Sequence, residues 1–266
     1  MLGGDGQIRL RYSEVRQQWT ETLKRWIRPA MFRALSPRPH FHCPICDYRG
    51  PFKDKRIVKA PPLLRLHSKC PRCASAERHR MTHLVLEELF QDWSPAGKSV
   101  LHIAPEECLR KLLSARFETC HSADLLKKNV DFQEDLQDLS FPDFSYDALL
   151  VSRVLNVPPN LAACLDEIRR ILKPGGVAII AESYTCLMTD EFGEWRNDRS
   201  RTIGLDLIEE ISSRFRKVEH YFSGRYPGEY QLDNLMQGEG LPVDDYPDPV
   251  RIPGKGFQDL VVIAHV

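Results

Sequence analysis

Cys43-Pro44-Ile45-Cys46 and Cys70-Pro71-Arg72-Cys73 form two Cys-x-x-Cys knuckles separated by the twenty-three residues 47–69. Each short loop can aim two sulfurs at one ion, and the long insert lets the knuckles meet. That spacing points to a tetrahedral zinc site made by Cys43, Cys46, Cys70 and Cys73. Four sulfur ligands leave no coordination position open, so this zinc would hold structure rather than perform chemistry. The alternative is a pair of disulfides or loose thiols, which suits a secreted chain. The start of the chain, Met1-Leu2-Gly3-Gly4-Asp5-Gly6, lacks the apolar core of a signal peptide. The remaining cysteines, Cys108, Cys120, Cys164 and Cys186, show no ligand spacing and read as core residues.

A second set of chemically able residues follows short apolar runs. Ser99 to Ile103 reads as a strand and leads into Ala104-Pro105-Glu106-Glu107; Thr119 to Ala123 reads as another and ends at Asp124. A phosphate-binding turn needs bare amides and glycines, and carboxylates would repel its ligand. Glu106 and Glu107 instead suit hydroxyls, an ammonium or a sulfonium cation, or simply cap a helix with Pro105 at its first position. An acid at the end of the second strand can accept both ribose hydroxyls of a nucleoside.

The elements that must position these groups form an α/β pattern. Val100 to Ile103 and Ala148 to Val151 are continuous apolar runs, as expected of parallel strands covered on both faces. Helical spacing marks residues 77–90, the Leu109, Leu112 and Leu113 face, and the Ala162, Leu165, Ile168 and Ile171 face. Another helix is expected over Thr202 to Phe215. Val218 to Phe222 and Asp259 to His265 read as a closing pair of strands, joined by a long loop with Tyr226, Tyr230, Asp244, Asp245 and Tyr246. Upstream, Val15, Trp19, Leu23, Trp26 and Ile27 share one helical face, a docking or homodimer surface, and Pro29 should kink or end that helix. His79 and His83, four apart, read as polar surface or interdomain contacts. The domains expected are a tail and amphipathic helix (1–40), a four-cysteine zinc module with its linking helix (41–97), and the α/β domain (98–266).

Residues 99–183 resemble a class I S-adenosylmethionine-dependent methyltransferase. The match rests on Asp124, the Asp135-Leu136-Gln137-Asp138-Leu139-Ser140-Phe141 loop, Asp147 at the start of strand four, and Leu172-Lys173-Pro174-Gly175-Gly176 before strand five. The front resembles a bacterial subgroup that joins paired Cys-Pro-x-Cys knuckles and a Ser-x-Glu-Arg-His-Arg helix to such a domain. Here those read Cys70 to Cys73, Ser75-Ala76-Glu77-Arg78-His79-Arg80 and Leu101 to Glu106.

The resemblance implies a Rossmann-like seven-stranded sheet with a small N-terminal zinc-binding module. It implies that Ala104, Pro105 and Glu106 form the first turn against the methionine part of S-adenosylmethionine, with His102 behind them. Asp124 would take the ribose hydroxyls, with Leu125 beside it. Asp135 and Leu136 would border the adenine, and Ser152 and Arg153 would lie beneath the sulfonium and the incoming substrate. Two departures stand out. His102, Ala104, Glu106 and Cys108 occupy positions where the wider superfamily has an acid and three glycines. Arg153-Val154-Leu155-Asn156-Val157 stands where the subgroup has His-Val-Leu-Glu-His, so no general base is named.

The net charge is zero, but residues 1–98 hold 19 Lys and Arg against 9 Asp and Glu, and residues 99–266 hold 18 against 28. The two parts thus carry +10 and −10. The basic part can attract nucleic acid, or offset a metal–thiolate centre and dock on the acidic domain; its cations are scattered, which favours the second. No run of about eighteen apolar residues exists, so no membrane span is expected, and the location expected is cytoplasmic. The reading is methyl transfer to an oxygen or nitrogen of a small-molecule or sugar-type acceptor. A non-catalytic binding protein on the same fold and a nucleic-acid methyltransferase are its rivals.

Overall fold

Alternate side chains of each central strand point to opposite faces, and here both faces are apolar. In the computed structural model, which describes residues 20, 23–57, 63–196, 198–238, 241 and 245–266, this pattern builds a seven-stranded sheet between two helical layers. The strands are β5 (Ser99–Ile103), β6 (Thr119–Asp124), β7 (Phe132–Gln133), β8 (Tyr146–Ser152), β9 (Leu172–Glu182), β12 (Lys217–Phe222) and β16 (Leu260–His265). Their order is β7-β6-β5-β8-β9-β16-β12. The first five are parallel, and β16 runs antiparallel to both β9 and β12. Leu101, Leu149, Val151, Ala178 and Ile180 belong to one core. Their neighbours Val100, Ala148, Leu150, Val177 and Ile179 belong to the other.

The helices follow from the same pattern. On α4 (Leu161–Ile171) Cys164, Leu165, Ile168 and Ile171 are buried against the first core, and Asn160 caps its start by accepting from Ala163 N–H at 3.1 Å. The linking helix α2 (Glu77–Asp92) sets Met81, Val85, Leu86 and Leu89 into the second core beside α3 (Glu107–Arg116). The layer that covers β5 and β8 thus begins well before residue 98.

The N-terminal strands are β1 (Phe41–Cys43), β2 (Tyr48–Gly50), β3 (Lys53–Ile57) and β4 (Leu63–Lys69). β1 and β2 form a hairpin that carries the first knuckle. β3 and β4 do not stand alone. They join β13 (Asn234–Gln237), β14 (Arg251–Ile252) and β15 (Gly256–Phe257), all from the long connection between β12 and β16, in a sheet of order β14-β15-β13-β4-β3. Met236 pairs with Arg65 and Gln237 with Leu64.

Several local expectations need correction. Pro29 does not end the N-terminal helix. Residues Leu23–Ile27 form a π-helical turn, a local change of winding, and α1 (Arg28–Leu35) continues from it with Pro29 as its second residue. Trp26 and Ile27 are exposed, while Val15 and Trp19 lie outside the described residues, as does Asp244. Pro105 precedes the N-cap, Glu106, instead of opening the helix. The helix expected over Thr202 to Phe215 shrinks to α5 (Leu207–Ser212). Arg201 and Thr202 instead form β11 (Arg201–Thr202), paired with β10 (Asp190–Glu191). Arg201 is fully buried and donates to the carbonyls of Leu155, Pro158 and Pro159, which holds that backbone extended.

The Pro-Gly-Gly turn is absorbed into β9 as a bulge: Tyr146 pairs with Leu172, and the next pair is Ala148 with Val177. Gly175 sits at φ +77, and a Cβ on Gly176 would approach Lys173 O at 2.8 Å and Asp147 O at 3.0 Å.

Candidate functional site

The two knuckles have matching backbones. Asp47 N–H donates to Cys43 O and Ala74 N–H to Cys70 O, both at 2.9 Å, with Asp47 and Ala74 at φ 53 and 59. This places Cys43 Sγ 3.6 Å from Cys73 Sγ and Cys46 Sγ 3.6 Å from Cys70 Sγ, with all four sulfurs within 4.8 Å of one another. Zinc–sulfur bonds of about 2.3 Å in a tetrahedron require sulfurs about 3.8 Å apart, so the set fits a zinc ion. The buried Ser75 Oγ, 3.3 Å from Cys43 Sγ and 3.2 Å from Cys73 Sγ, can donate to one thiolate.

The helix that leaves the second knuckle fastens the module to the sheet. Arg80 is fully buried over the Phe52 ring, 4.5 Å from its centroid. Its Nη1 donates to Ser68 O and Ser75 O at 3.0 Å, its Nε to Tyr230 O at 2.9 Å, and its Nη2 to Gln231 O. His79 Nδ1 accepts Ala76 N–H at 3.0 Å, which puts the ring proton on Nε2, 2.7 Å from Glu106 Oε1. Arg78 also donates to Glu106 Oε1. Burial acts to raise the Glu106 carboxyl, but His79 and Arg78 outweigh it and hold it at about 2. His79 is therefore a buried contact between α2 and the start of α3, and His83 is not among the sulfur set.

The cofactor candidates lie toward or just past the carboxyl ends of β5, β6, β7 and β8. Ala104, half-buried at φ 52, turns the chain out of β5, and its N–H donates to Ala123 O at 2.8 Å. Asp124 ends β6: its Oδ1 accepts the N–H groups of Leu126 and Lys127 at 2.9 Å, and Lys127 Nζ lies 3.3 Å from Oδ2. Burial would raise the Asp124 carboxyl, yet those donors keep it below its ordinary range. Leu125 is exposed. Asp135 is held by Gln137, whose backbone N–H donates at 2.9 Å, and Leu136 is buried. Four members carry orphaned buried atoms: both ring nitrogens of His102, Glu106 Oε2, Ser152 Oγ and Arg153 Nε lack hydrogen-bond partners among the described residues. Acids at the β6 side and orphaned polar atoms at the β5 and β8 ends suit a ligand with hydroxyls, an amine and a cation.

Burial pushes the His102 imidazole down to about 4. The unfolded chain binds that proton near pH 6.5 and the folded chain does not, so stability present above about 6.5 falls as the pH drops to about 4. The full effect is about 3 kcal/mol. Denaturant melts of the wild type and His102→Asn should therefore diverge across this window, the variant having the flatter profile. Parallel profiles would remove His102 as the source.

Arg153, at φ 58, behaves differently from the others. It turns toward the outer strands and donates from Nη2 to Asp259 Oδ1 at 2.8 Å, just before β16. Glu182, at the end of β9, accepts Val154 N–H and Leu155 N–H at 2.7 and 2.9 Å. Tyr184 is buried with its hydroxyl unpartnered among the described residues. Asp259, Glu182 and Lys127 were not singled out from sequence. Lys127, three residues after an acidic strand end, was the most readable of them. A separate cleft of about 650 Å³ lies beside the knuckles, walled by Arg25, Arg28, Lys53, Arg72 and Lys111, and none of the ten cofactor candidates lines it.

Residues 89–180, about a third of the chain, match the family described as methyltransferase domain. Fusarielin synthase FSL1 of Gibberella zeae is 39% identical over 149 residues, 52% of this chain and 5% of the synthase. Sterol 24-C-methyltransferase ERG6B of the same organism is 32% identical over 101 residues, 38% of this chain and 26% of that protein. The chain thus spans only a small part of these curated relatives. Among solved structures, the YcgJ protein of Bacillus subtilis is 15% identical with a TM-score of 0.48, covering 70% of this chain and 98% of that one. The stretch 89–180 thus matches a methyltransferase-domain family and lies within the mixed seven-stranded sheet.

Proposed function

We propose that the chain transfers a methyl group from S-adenosylmethionine to an oxygen or nitrogen of a small-molecule or sugar-type acceptor, and that the four cysteines hold a structural zinc. The observation that supports this most is the placement of Asp124, Asp135, His102 and Ser152 toward the carboxyl ends of neighbouring parallel strands, with orphaned polar atoms on the last two. When bound, the cofactor supplies an electrophilic methyl carbon on a sulfonium sulfur. The chain's own residues would do the rest by positioning. Asp124 would accept ribose hydroxyls once Lys127 releases Oδ2. Asp135, its rotamer fixed by Gln137, would accept from the adenine amine. An amine acceptor needs no protein base in the transfer itself. One relative bears the name sterol 24-C-methyltransferase, so carbon stands beside oxygen and nitrogen as an acceptor atom.

Isothermal titration of zinc-loaded protein with S-adenosylmethionine and S-adenosylhomocysteine tests the reading. Both should bind, and Asp124→Ala should weaken them roughly 10- to 100-fold, the value of losing hydrogen bonds to a charged acceptor. Folded protein that binds neither would refute the assignment.

A further inference from the structure

We propose that the acceptor carries an oxyanion, a carboxylate or a phosphate, and that Arg65 and Arg153 bind it between β4 and the end of β8. This rests on the methyltransferase reading. Arg65, on β4, reaches Glu77 Oε2 only at 3.6 Å, and its Nε is buried without a partner among the described residues. Arg153 Nε is buried and unpartnered in the same sense, with Nη2 on Asp259. A guanidinium has five donors in a fork that fits carboxylate and phosphate. Each of these two has much of that fork unspent. Their side chains are 12% and 22% exposed, so a solute can reach them.

The surroundings favour an anion. Burial, with help from nearby Arg78 and Arg65 but against Asp259, lowers the Arg153 guanidinium. Lys55 is lowered likewise by burial and by Arg65. The Glu106 carboxylate is already taken by Arg78 and His79. Burial raises the carboxyls of Glu77 and Glu182, and Glu182 is already occupied by the N–H groups of Val154 and Leu155. Arg153 follows β8 and Asp259 precedes β16, whereas Asp124 ends β6, two strands from β8 in the sheet order. The oxyanion is therefore assigned to the acceptor and not to the cofactor's own carboxylate.

The test is titration of the full, zinc-loaded chain, saturated with S-adenosylhomocysteine, with inorganic phosphate and separately with malonate. At least one should bind, and which one does separates the two oxyanion sources. Arg65→Gln should weaken that anion at least tenfold and leave S-adenosylhomocysteine affinity within twofold. Arg153→Gln should weaken the anion similarly, and Arg153→Lys, which keeps a charge toward Asp259, should weaken it less. Binding of neither anion would overturn the proposal. So would an Arg65→Gln protein that loses S-adenosylhomocysteine as strongly as the anion, because the cofactor's carboxylate would then occupy the site. Wild-type protein that fails to bind S-adenosylhomocysteine at all would overturn the methyltransferase reading itself, and this assignment with it.

Discussion

Replacing Cys70 with serine is expected to abolish stoichiometric zinc and to unfold more than the knuckles. Zinc held by four thiolates contributes on the order of 10 kcal/mol to the folding of a small module, comparable with the whole stability of a typical domain. Cys70 is buried, and its carbonyl receives the N–H that closes the second knuckle. The loss would reach β4, whose partner β13 belongs to the C-terminal quarter of the chain. Zinc content by mass spectrometry of the intact protein and a thermal melt would read both effects. A Cys70→Ser protein with its wild-type melting temperature would show that the cluster is not a metal centre that supports the fold.

Arg80→Met is expected to cost about 4 kcal/mol, within the range for breaking a buried charged network, and to lower the melting temperature by roughly 10 °C. The side chain serves four backbone carbonyls from two distant parts of the chain, at Ser68 and Ser75 and at Tyr230 and Gln231. Methionine fills part of the volume over Phe52 but leaves those carbonyls dry. Arg80→Lys should recover less than half of the loss, since one ammonium cannot span both sets. A melt within about 3 °C of wild type for Arg80→Met would show that water replaces the guanidinium at little cost.

The parts of this fold that sequence made legible are those written in local pattern. The Ser99 to Ile103 and Val218 to Phe222 strands, and the Cys-x-x-Cys spacing, are short-range signals, and the structure carries all three elements. Arg80 and Arg201 show the opposite case. A charged residue reads as surface, and the carbonyls brought round both side chains by the fold, with Glu191 on Arg201, explain why both are fully buried. Arg201 also explains the missing first half of the Thr202 to Phe215 helix. The pairing of β4 with β13 had no local signature, because both are short strands with mixed composition. At the candidate site, Asp124 was readable as an acid at a strand end, and Asp135 only through the resemblance of its loop. Lys127 across Asp124, Gln137 on Asp135 and the turn of Arg153 toward Asp259 depend on side-chain geometry that spacing does not encode.

The β4–β13 pairing also sets a schedule for the chain as it is made. Lys69 leaves the ribosome about 165 residues before Asn234, which at about 5–20 residues per second is roughly ten to thirty seconds. Throughout that interval the outer edge of β4 has no partner, and the Arg80 guanidinium lacks the Tyr230 and Gln231 carbonyls. An unpaired edge is a template for association with other nascent chains. Early zinc capture would make the knuckles rigid during this wait, but it could not close the edge. Yield in the cell should therefore depend on chaperone supply as well as on metal.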